Sequence, residues 1–373
     1  MLKKSQIAVW VLFCTVLFNC ASAQAATAIM GKYKTELYAW MKICSIYNAH
    51  GITGDDYVSY VNSSSPKDGD FSISARATRF GLNVADDEDK IGAKAEIDFL
   101  GLTDSVAGAA SAGTNASPRI RHLYVTYGYK EFSFLAGQTW YLTPLELPDT
   151  TNDFFFGYSG ALWFRAPQLR ATWTPEASPF SFAVAAVRPT RKLTDAEGTA
   201  SKMPSMQGQI QAKLGTVKLT LAGALGQWKN STYQTGDVRL VDLGFNIPYG
   251  IFTFNGQLWT GENLYDFLGG IGNMGYDGNE VKASGGFVDL KIKPRDWLYF
   301  NAVYGIDNPQ DAKLAVGDRK QNSTIMGNVN FVLNKKITLS FETSYILTEY
   351  KLANDGTDRR GSAHYQLAVI YPF

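Results

Sequence analysis

Hydrophobic and polar residues alternate along most of the chain, and turn-forming residues interrupt the alternation at regular intervals. Between residues 91 and 100, one face carries isoleucine, alanine and phenylalanine, while the other carries Lys94, Glu96 and Asp98. The segment 323–333 repeats the pattern with asparagine and threonine on the polar side. Because consecutive side chains of a strand point to opposite faces, this period of two predicts β-strands with one apolar side and one polar side.

The segments are separated by short and long connections, which alternate along the chain. Seven are short, at 85–90, 130–131, 175–179, 215–216, 248–250, 294–296 and 334–336. Eight are long, at roughly 48–70, 101–118, 141–164, 189–204, 229–237, 260–280, 307–321 and 351–361. Seven turns and eight loops predict about sixteen strands, with short periplasmic turns and long extracellular loops as in bacterial outer-membrane barrels.

A sheet with one apolar face and one polar face in a membrane is expected to close into a barrel. In hydrocarbon an unpaired backbone N–H or C=O group costs several kcal/mol, so an open sheet edge is not tolerated there. Closure removes both edges. We therefore expect an all-β fold, a transmembrane antiparallel β-barrel that shows apolar side chains to lipid and polar side chains to its lumen.

The first residues have the features of a secretory signal peptide. Lys3 and Lys4 precede an apolar run at 7–18, which is too short to span a bilayer as a helix. Ala23-Gln24-Ala25 then fits an A-x-A cleavage site. We expect residues 1–25 to be cleaved and residues 26–373 to form the barrel. A buried or anchoring N-terminal helix is the alternative. After residue 25 no apolar run approaches the length of a membrane helix.

Composition and charge narrow the functional classes. The chain has 35 glycines and 50 aromatic residues (22 Phe, 20 Tyr and 8 Trp), which suits a sheet with lipid on one side and water on the other. The formal net charge of +1 offers no basic stripe, so no nucleic-acid partner is expected. Cys14 and Cys20 would leave with the signal, so Cys44 would have no disulfide partner in the chain.

Aromatic residues cluster where the expected strands end, as at Tyr127, Trp173, Trp259 and Trp297. Rings with an apolar body and a polar edge favour the headgroup level of a bilayer, so the set predicts aromatic girdles. The last expected strand alternates up to a terminal Phe373. Such an ending resembles the signal that outer-membrane assembly machinery reads, so this machinery is an expected partner.

Several strands together resemble a Gram-negative general porin, and more narrowly the DcaP-like trimeric porins. The residues that carry the resemblance are 37–42 (LYAWMK), 77–82 (ATRFGL), 119–124 (RIRHLY), 136–140 (AGQTW) and 164–170 (FRAPQLR). The resemblance implies an outer-membrane homotrimer with one pore in each subunit and a third loop folded inward. It also implies passive diffusion of small hydrophilic, perhaps anionic, solutes, without a cofactor.

The third loop, 141–164, is the expected constriction of the pore. It carries Glu146, Asp149 and Asp153 within a sequence rich in leucine, proline and phenylalanine. That much apolar surface favours burial, either inside the barrel or in a subunit contact.

Opposite these carboxylates we expect a basic cluster on the early strands. Its members are Arg79, Arg119, Arg121, Arg165 and Arg170. Arg119 and Arg121 share parity, and an arginine facing lipid costs about 2–4 kcal/mol at the midplane. Arg76 has the opposite parity to Arg79, which predicts a bulge or a rim position there. The alternative is that the arginines are paired wall residues without a filtering role. Five arginines against three loop carboxylates lead us to expect a mild preference for anions.

Other functions are less well supported by the residues. A barrel phospholipase or protease would need a nucleophile and an oriented base, but His50, His122 and His364 lie beside no G-x-S-x-G or H-E-x-x-H motif. We therefore expect no enzyme, no metal and no cofactor. A channel for hydrophobic compounds with an N-terminal plug is not expected, because the first expected strand follows soon after the cleavage site. A substrate-specific channel remains an alternative. A barrel that anchors the cell wall would need a soluble domain after the last strand.

Overall fold

The computed structural model describes residues 26–30, 33–54, 57–64, 69–86, 88, 90–101, 116–144, 146–189, 201, 203–229 and 232–373. The expected signal segment 1–25 therefore lies outside the described residues, as do most of the second and fourth long loops. None of the helices in the described part of the chain is long and apolar enough to cross a membrane.

The described residues form one antiparallel sheet. Its strands are β1 (Ala26–Met30), β2 (Tyr33–Asn48), β3 (Asp70–Ser74), β4 (Arg79–Asp86), β5 (Ile91–Gly101), β6 (Ser117–Tyr129), β7 (Phe132–Trp140), β8 (Arg165–Trp173), β9 (Phe180–Val187), β10 (Ser205–Leu214), β11 (Val217–Lys229), β12 (Thr235–Tyr249), β13 (Phe252–Glu262), β14 (Lys282–Arg295), β15 (Leu298–Pro309), β16 (Arg319–Leu333), β17 (Ile337–Lys351) and β18 (Thr357–Pro372). Short 3₁₀ helices lie at Leu264–Phe267, Gly270–Gly272, Asp311–Lys313 and Ala353–Asp355.

The sheet is a closed ring of sixteen wall strands. Each strand from β5 to β18 pairs with the strand before it, and β18 pairs with β2 to close the ring. β3 and β4 both pair with β2 and together make one interrupted wall strand. β1 pairs with the first residues of β2, beyond the point where Phe373 and Ala39 exchange backbone hydrogen bonds of 2.7 and 2.9 Å. The predicted strand count, and the predicted closed barrel, are confirmed.

The interruption between β3 and β4 contains Arg76. Residues 75–78 leave the ladder as a turn, and the Arg76 Nε donates to the Phe99 carbonyl at 3.4 Å. The opposite parities of Arg76 and Arg79 in the sequence thus reflect a break in this strand, where a bulge or a rim position was predicted.

The wall has the two faces that the alternation predicts. Along β17, Phe341 and Tyr345 point outward and are 46% and 50% exposed, whereas Ser340 and Glu342 point inward and are each 1% exposed. The inward residues are buried because loops lie inside the barrel. The hydrophobic clusters of the molecule accordingly sit between the inner wall and these loops.

The seven short connections match the predicted turns. The one between β10 and β11 has two residues and places Gly215 at φ +63°. A positive φ at this place is what two-residue hairpin turns require, and glycine adopts it without a steric cost.

Candidate functional site: the barrel lumen

The third loop, residues 141–164, crosses the interior of the barrel. Its Thr151 N–H donates to Glu342 on β17 at 2.5 Å. Farther along the loop, the Leu162 N–H donates to Gln257 on β13 at 2.7 Å. These two strands are separated by β14, β15 and β16 in the ring, so the loop spans the lumen between different parts of the wall.

Inward-facing carboxylates of the wall hold the backbone of the loop. Glu342 accepts a second hydrogen bond, from the Asn152 N–H at 3.2 Å. Asp289 on β14 accepts from the Asp149 N–H at 3.0 Å. A loop inside a barrel has few backbone partners of its own, and buried N–H groups must find an acceptor. The wall carboxylates supply these acceptors.

The three acidic residues of the third loop each meet a lysine of the wall. Asp153 lies 2.6 Å from Lys42 Nζ, and Asp149 lies 2.6 Å from Lys291 Nζ. Glu146 lies 2.6 Å from the Nζ of Lys218 on β11. The sequence analysis did not select these lysines. Their inward parity was the available signal, because they alternate with outward apolar residues on their strands.

Of the five predicted arginines, only Arg79 faces a carboxylate of the third loop. Its Nη2 lies 3.2 Å from Asp153, and its guanidinium lies 4.1 Å from the centre of the Trp40 ring. Among the described residues the other four form no ion pair with this loop, and two of them, Arg119 and Arg121, bind acidic residues of the wall instead. The role of these four opposite the loop carboxylates stays a prediction.

Arg119 and Arg121 bind carboxylates of the neighbouring strand β5. Arg119 Nε lies 2.9 Å from Asp98, and Arg121 contacts Glu96 at 2.5 Å and Asp98 at 3.1 Å. Arg119 Nη2 also donates to the hydroxyl of Tyr57 in the first loop. Burial raises the pKa of Tyr57, so this hydroxyl stays protonated. Both arginines point into the lumen, as their shared parity requires.

The remaining two predicted arginines lie on β8 in different surroundings. The Arg165 guanidinium packs 4.3 Å from the centre of the Trp140 ring. Arg170 instead donates to Gln168 Oε1 at 2.8 and 3.0 Å and to the Trp140 carbonyl. Arg165 interacts electrostatically with Arg119 and Arg121. Arg170 therefore stands apart from the cluster.

Two further loops also enter the barrel, although the sequence analysis did not predict that they fold inward. In the sixth loop, residues 263–281, the carbonyls of Phe267 and Leu268 accept from the N–H groups of Trp163 and Tyr158 in the third loop, at 3.1 and 2.9 Å. The apolar residues in the sequence of this loop could have indicated that it folds into the barrel. Ile271, which is fully buried, donates its N–H to Asp307 on β15 at 3.1 Å.

The first loop, residues 49–69, packs against β16 and β17. Its Val61 N–H donates to Thr348 Oγ1 at 2.9 Å, and the Val61 carbonyl accepts from the Tyr350 hydroxyl at 2.5 Å. Asn322 Nδ2 donates both to the Ser59 carbonyl and to the third loop. The first loop is thereby joined to the other inner loops.

A polar cavity of about 260 Å³ remains between the third loop and the wall. Lys42, Arg79, Asp149, Asp153 and Tyr299 are among the residues that line it. Charges of both signs therefore face this one cavity beside the loop.

The histidines on the strands hold structural contacts. His122 Nδ1 lies 3.0 Å from Thr139 Oγ1, and its Nε2 is 3.9 Å from Glu96, beyond hydrogen-bond distance. His364 bonds to Asn48 at 2.8 Å and to Gln366 at 3.2 Å. Within the described ranges, no group of three or more His, Cys, Asp or Glu residues could hold a metal ion.

Comparison with solved structures places this architecture among known proteins. The outer membrane channel DcaP of Acinetobacter baumannii superposes with a TM-score of 0.76 at 20% sequence identity, covering 94% of this chain and 100% of that one. OmpF of Salmonella typhi and OmpT of Vibrio cholerae each superpose with a TM-score of 0.62 at 12% identity, each covering 93% of this chain and 100% of the other.

The chain has the porin fold. No family model matches the sequence, and no curated protein matches it either. The porin fold of this chain is thus recognised from its structure, at sequence identities of 20% and below.

Proposed function

We propose that the protein is an outer-membrane porin, a water-filled channel for the passive diffusion of small hydrophilic solutes in a Gram-negative bacterium. The observation that carries the proposal is the division of the wall into an apolar outer face and a charged inner face around inward-folded loops. Sixteen strands enclose more space than their own side chains can fill.

We propose the third loop, 141–164, as the constriction of this channel. It lies across the lumen, and the cavity beside it carries Lys42, Arg79, Asp149 and Asp153. Selectivity in pores depends on the charges at the narrowest place. Solutes would pass between the loop and the wall, where lysine and aspartate pairs set the local field.

A mild preference for anions remains our proposal for the ion selectivity. Lys42 and Arg79 both contact the carboxylate of Asp153, and both line the cavity beside the loop. Reversal potentials across a planar bilayer with a salt gradient test the proposal. A sign that reports anion preference supports it, and a cation preference refutes it.

We also propose that the mature protein is residues 26–373, that it assembles as a homotrimer in outer-membrane lipid, and that the barrel-assembly machinery recognises its C-terminal strand. A trimer form is described for OmpT of Vibrio cholerae, which has a similar fold at 12% identity. Phe373 lies at the closure of the ring, bonded to Ala39. Mass spectrometry of the purified protein in detergent gives both the mass of the mature chain and the number of subunits.

Swelling of proteoliposomes in uncharged sugars tests the diffusion of solutes. For a water-filled pore the initial rate falls steadily as the sugar grows, and it does not saturate with concentration. Equal rates for protein-containing and empty liposomes with the smallest sugar would refute the proposal. A rate that saturates for one sugar alone would favour a substrate-specific channel.

A further inference from the structure

The outer face of the wall carries an apolar groove of about 690 Å³ between β5 and β10. In the β7–β8 ladder Phe134 pairs with Ala171, and Leu169 pairs with Ala136, and all four residues line the groove. Each alanine leaves a hollow beside its larger, exposed neighbour. An unfilled hollow lacks the dispersion contacts of a packed surface. This outer groove therefore favours an apolar occupant that follows its course.

The outer groove runs across the strands from one side of the membrane toward the other. It begins near Ile91, which follows the short periplasmic turn before β5, and it reaches Met206, which follows the long fourth loop before β10. Its outward side chains are apolar except for the hydroxyl of Tyr127. A hydrocarbon chain of the bilayer has the polarity that this surface requires.

An arginine lies at the extracellular end of the outer groove. Val184 and Ala186 of β9 line the groove, and Arg188 is the next residue on the same face. The Arg188 N–H donates to the Pro167 carbonyl at 2.9 Å, so this residue continues the β8–β9 ladder. Its side chain is exposed and forms no ion pair among the described residues. A cation at this level attracts anionic lipid headgroups.

A second copy of the chain offers no charge that would match Arg188. Such a copy would need a free carboxylate on its own outer face, near the extracellular ends of its strands. In the described strands, the carboxylates at that place are already paired with arginines. The pairs are Asp237 with Arg239 at 3.0 Å, Glu262 with Arg239 at 3.7 Å and Glu349 with Arg359 at 2.8 Å. Charge complementarity thus favours a lipid over another subunit.

We infer that the outer groove binds an acyl chain of a phosphate-bearing lipid of the outer leaflet, and that Arg188 contacts the phosphate of its headgroup. The chain fills the hollows at Ala136 and Ala171, and the guanidinium of Arg188 gains an anionic partner. The site depends on the location of the barrel in the outer membrane. It does not depend on conduction through the lumen.

Native mass spectrometry of the folded protein tests the headgroup contact. The protein is released from detergent that contains equal amounts of phosphatidylglycerol and phosphatidylcholine with the same chains. The choline cation offsets the phosphate charge, so wild type should retain phosphatidylglycerol in preference. Arg188→Gln should lose this preference. Arg359→Gln is the matched control, because Arg359 is an exposed arginine that is paired with Glu349, and it should keep the preference.

A second pair of variants tests the groove itself. Ala171→Trp fills the hollow and should lower the number of retained lipids. Ala302→Trp should not, because Ala302 is an exposed alanine of β15 that lies outside the groove. If Ala171→Trp does not fold, Ala171→Leu replaces it. Equal lipid retention in the two alanine variants, or an unchanged headgroup preference in Arg188→Gln, would overturn the inference.

Crystals grown with phosphatidylglycerol that carries bromine on its chains distinguish a lipid from a second copy. Anomalous peaks should lie beside Leu169 and Val184 in wild type and be absent in Ala171→Trp. A neighbouring copy of the chain in the groove would overturn the inference. Peaks of equal height in the variant would mean binding at crystal concentration only, which also overturns it. Lipid retention is measured on the folded barrel whether or not it conducts, so failure of the proposed channel would be seen separately.

Discussion

One buried ion pair, between Lys42 and Asp153, holds the middle of the third loop against the wall. Lys42 Nζ is almost fully enclosed and donates to Asp153 at 2.6 Å and to the Thr151 carbonyl at 2.5 Å. Removing one partner of a buried pair leaves an uncompensated charge, which costs about 3–5 kcal/mol. The single residue Lys42 therefore fixes the position of the middle of the third loop.

Replacing Lys42 with methionine should therefore free the middle of the third loop. We expect the free energy of unfolding to fall by about 3–5 kcal/mol, moderated by the remaining contact of Asp153 with Arg79. Single-channel records should show larger fluctuations of the open current. Lys90→Gln is the control, since it removes a lysine whose ion pair with Glu88 is exposed. Equal effects of the two substitutions would contradict this role of Lys42.

Arg79 is one of the charged residues that line the polar cavity. In Arg79→Gln the anion-to-cation permeability ratio should fall, because Lys42 alone then remains opposite Asp153. Reversal potentials in a salt gradient measure the ratio. Arg239→Gln, at an exposed arginine paired with Asp237, should leave it unchanged. A ratio that is the same in wild type and Arg79→Gln would show that this residue does not filter ions.

At the scale of a strand, the two faces impose opposite requirements on neighbouring residues. Ile210 in the middle of β10 points outward and is 43% exposed, whereas Gln211 faces the lumen. Ile210→Arg should destabilise the barrel by about 2–4 kcal/mol, because arginine is costly on a lipid-facing surface. Gln211→Arg should be tolerated. The folded fraction after refolding into lipid vesicles, measured over a urea series, compares them. Similar stabilities would contradict the assigned faces.

The sixth loop packs against the third loop inside the barrel and supports it. Its Leu268 and Ile271 have positive φ values of 63° and 47°, which are strained for such side chains, yet both are buried. Packing against the third loop compensates for this strain. The loop thus narrows the lumen together with the third loop.

Deleting residues 264–271 should widen the lumen. The backbone hydrogen bonds to Trp163 and Tyr158 are lost, so the third loop becomes less restrained. We expect a larger single-channel conductance and a higher size limit for sugars in the swelling assay. Deletion of residues 353–355, which are exposed between β17 and β18, is the control and should change neither. An unchanged conductance after the first deletion would show that the sixth loop does not restrict the pore.

The alternation of residues was enough to predict the elements but not the pairing of side chains across the lumen. The two faces of a strand follow from a local rule, so the sixteen strands and the inward direction of Arg119 and Arg121 could be predicted. Which carboxylate an arginine meets depends on the register between strands, which placed Glu96 and Asp98 beside these two arginines. The inward fold of the sixth loop depends on its contacts with another loop.

At the scale of the whole molecule, one pairing turns a sheet into a ring. β18 and β2 pair from His364 with Asn48 to Pro372 with Trp40, and Phe373 continues the contact to Ala39. The first and last wall strands must therefore pair, because otherwise the backbone N–H and C=O groups at the two sheet edges would lack hydrogen-bond partners in lipid. The polar lumen exists only in the closed form, so closure and the proposed channel depend on the same pairing.

Single-channel recording of the purified, refolded protein in a planar bilayer tests the central claim most directly. A column of water through the lumen predicts discrete current steps that are ohmic at low voltage and grow with salt concentration. The steps should appear with wild-type protein and be absent with detergent alone. A bilayer that contains the folded protein and shows no steps over a wide range of salt would contradict the account.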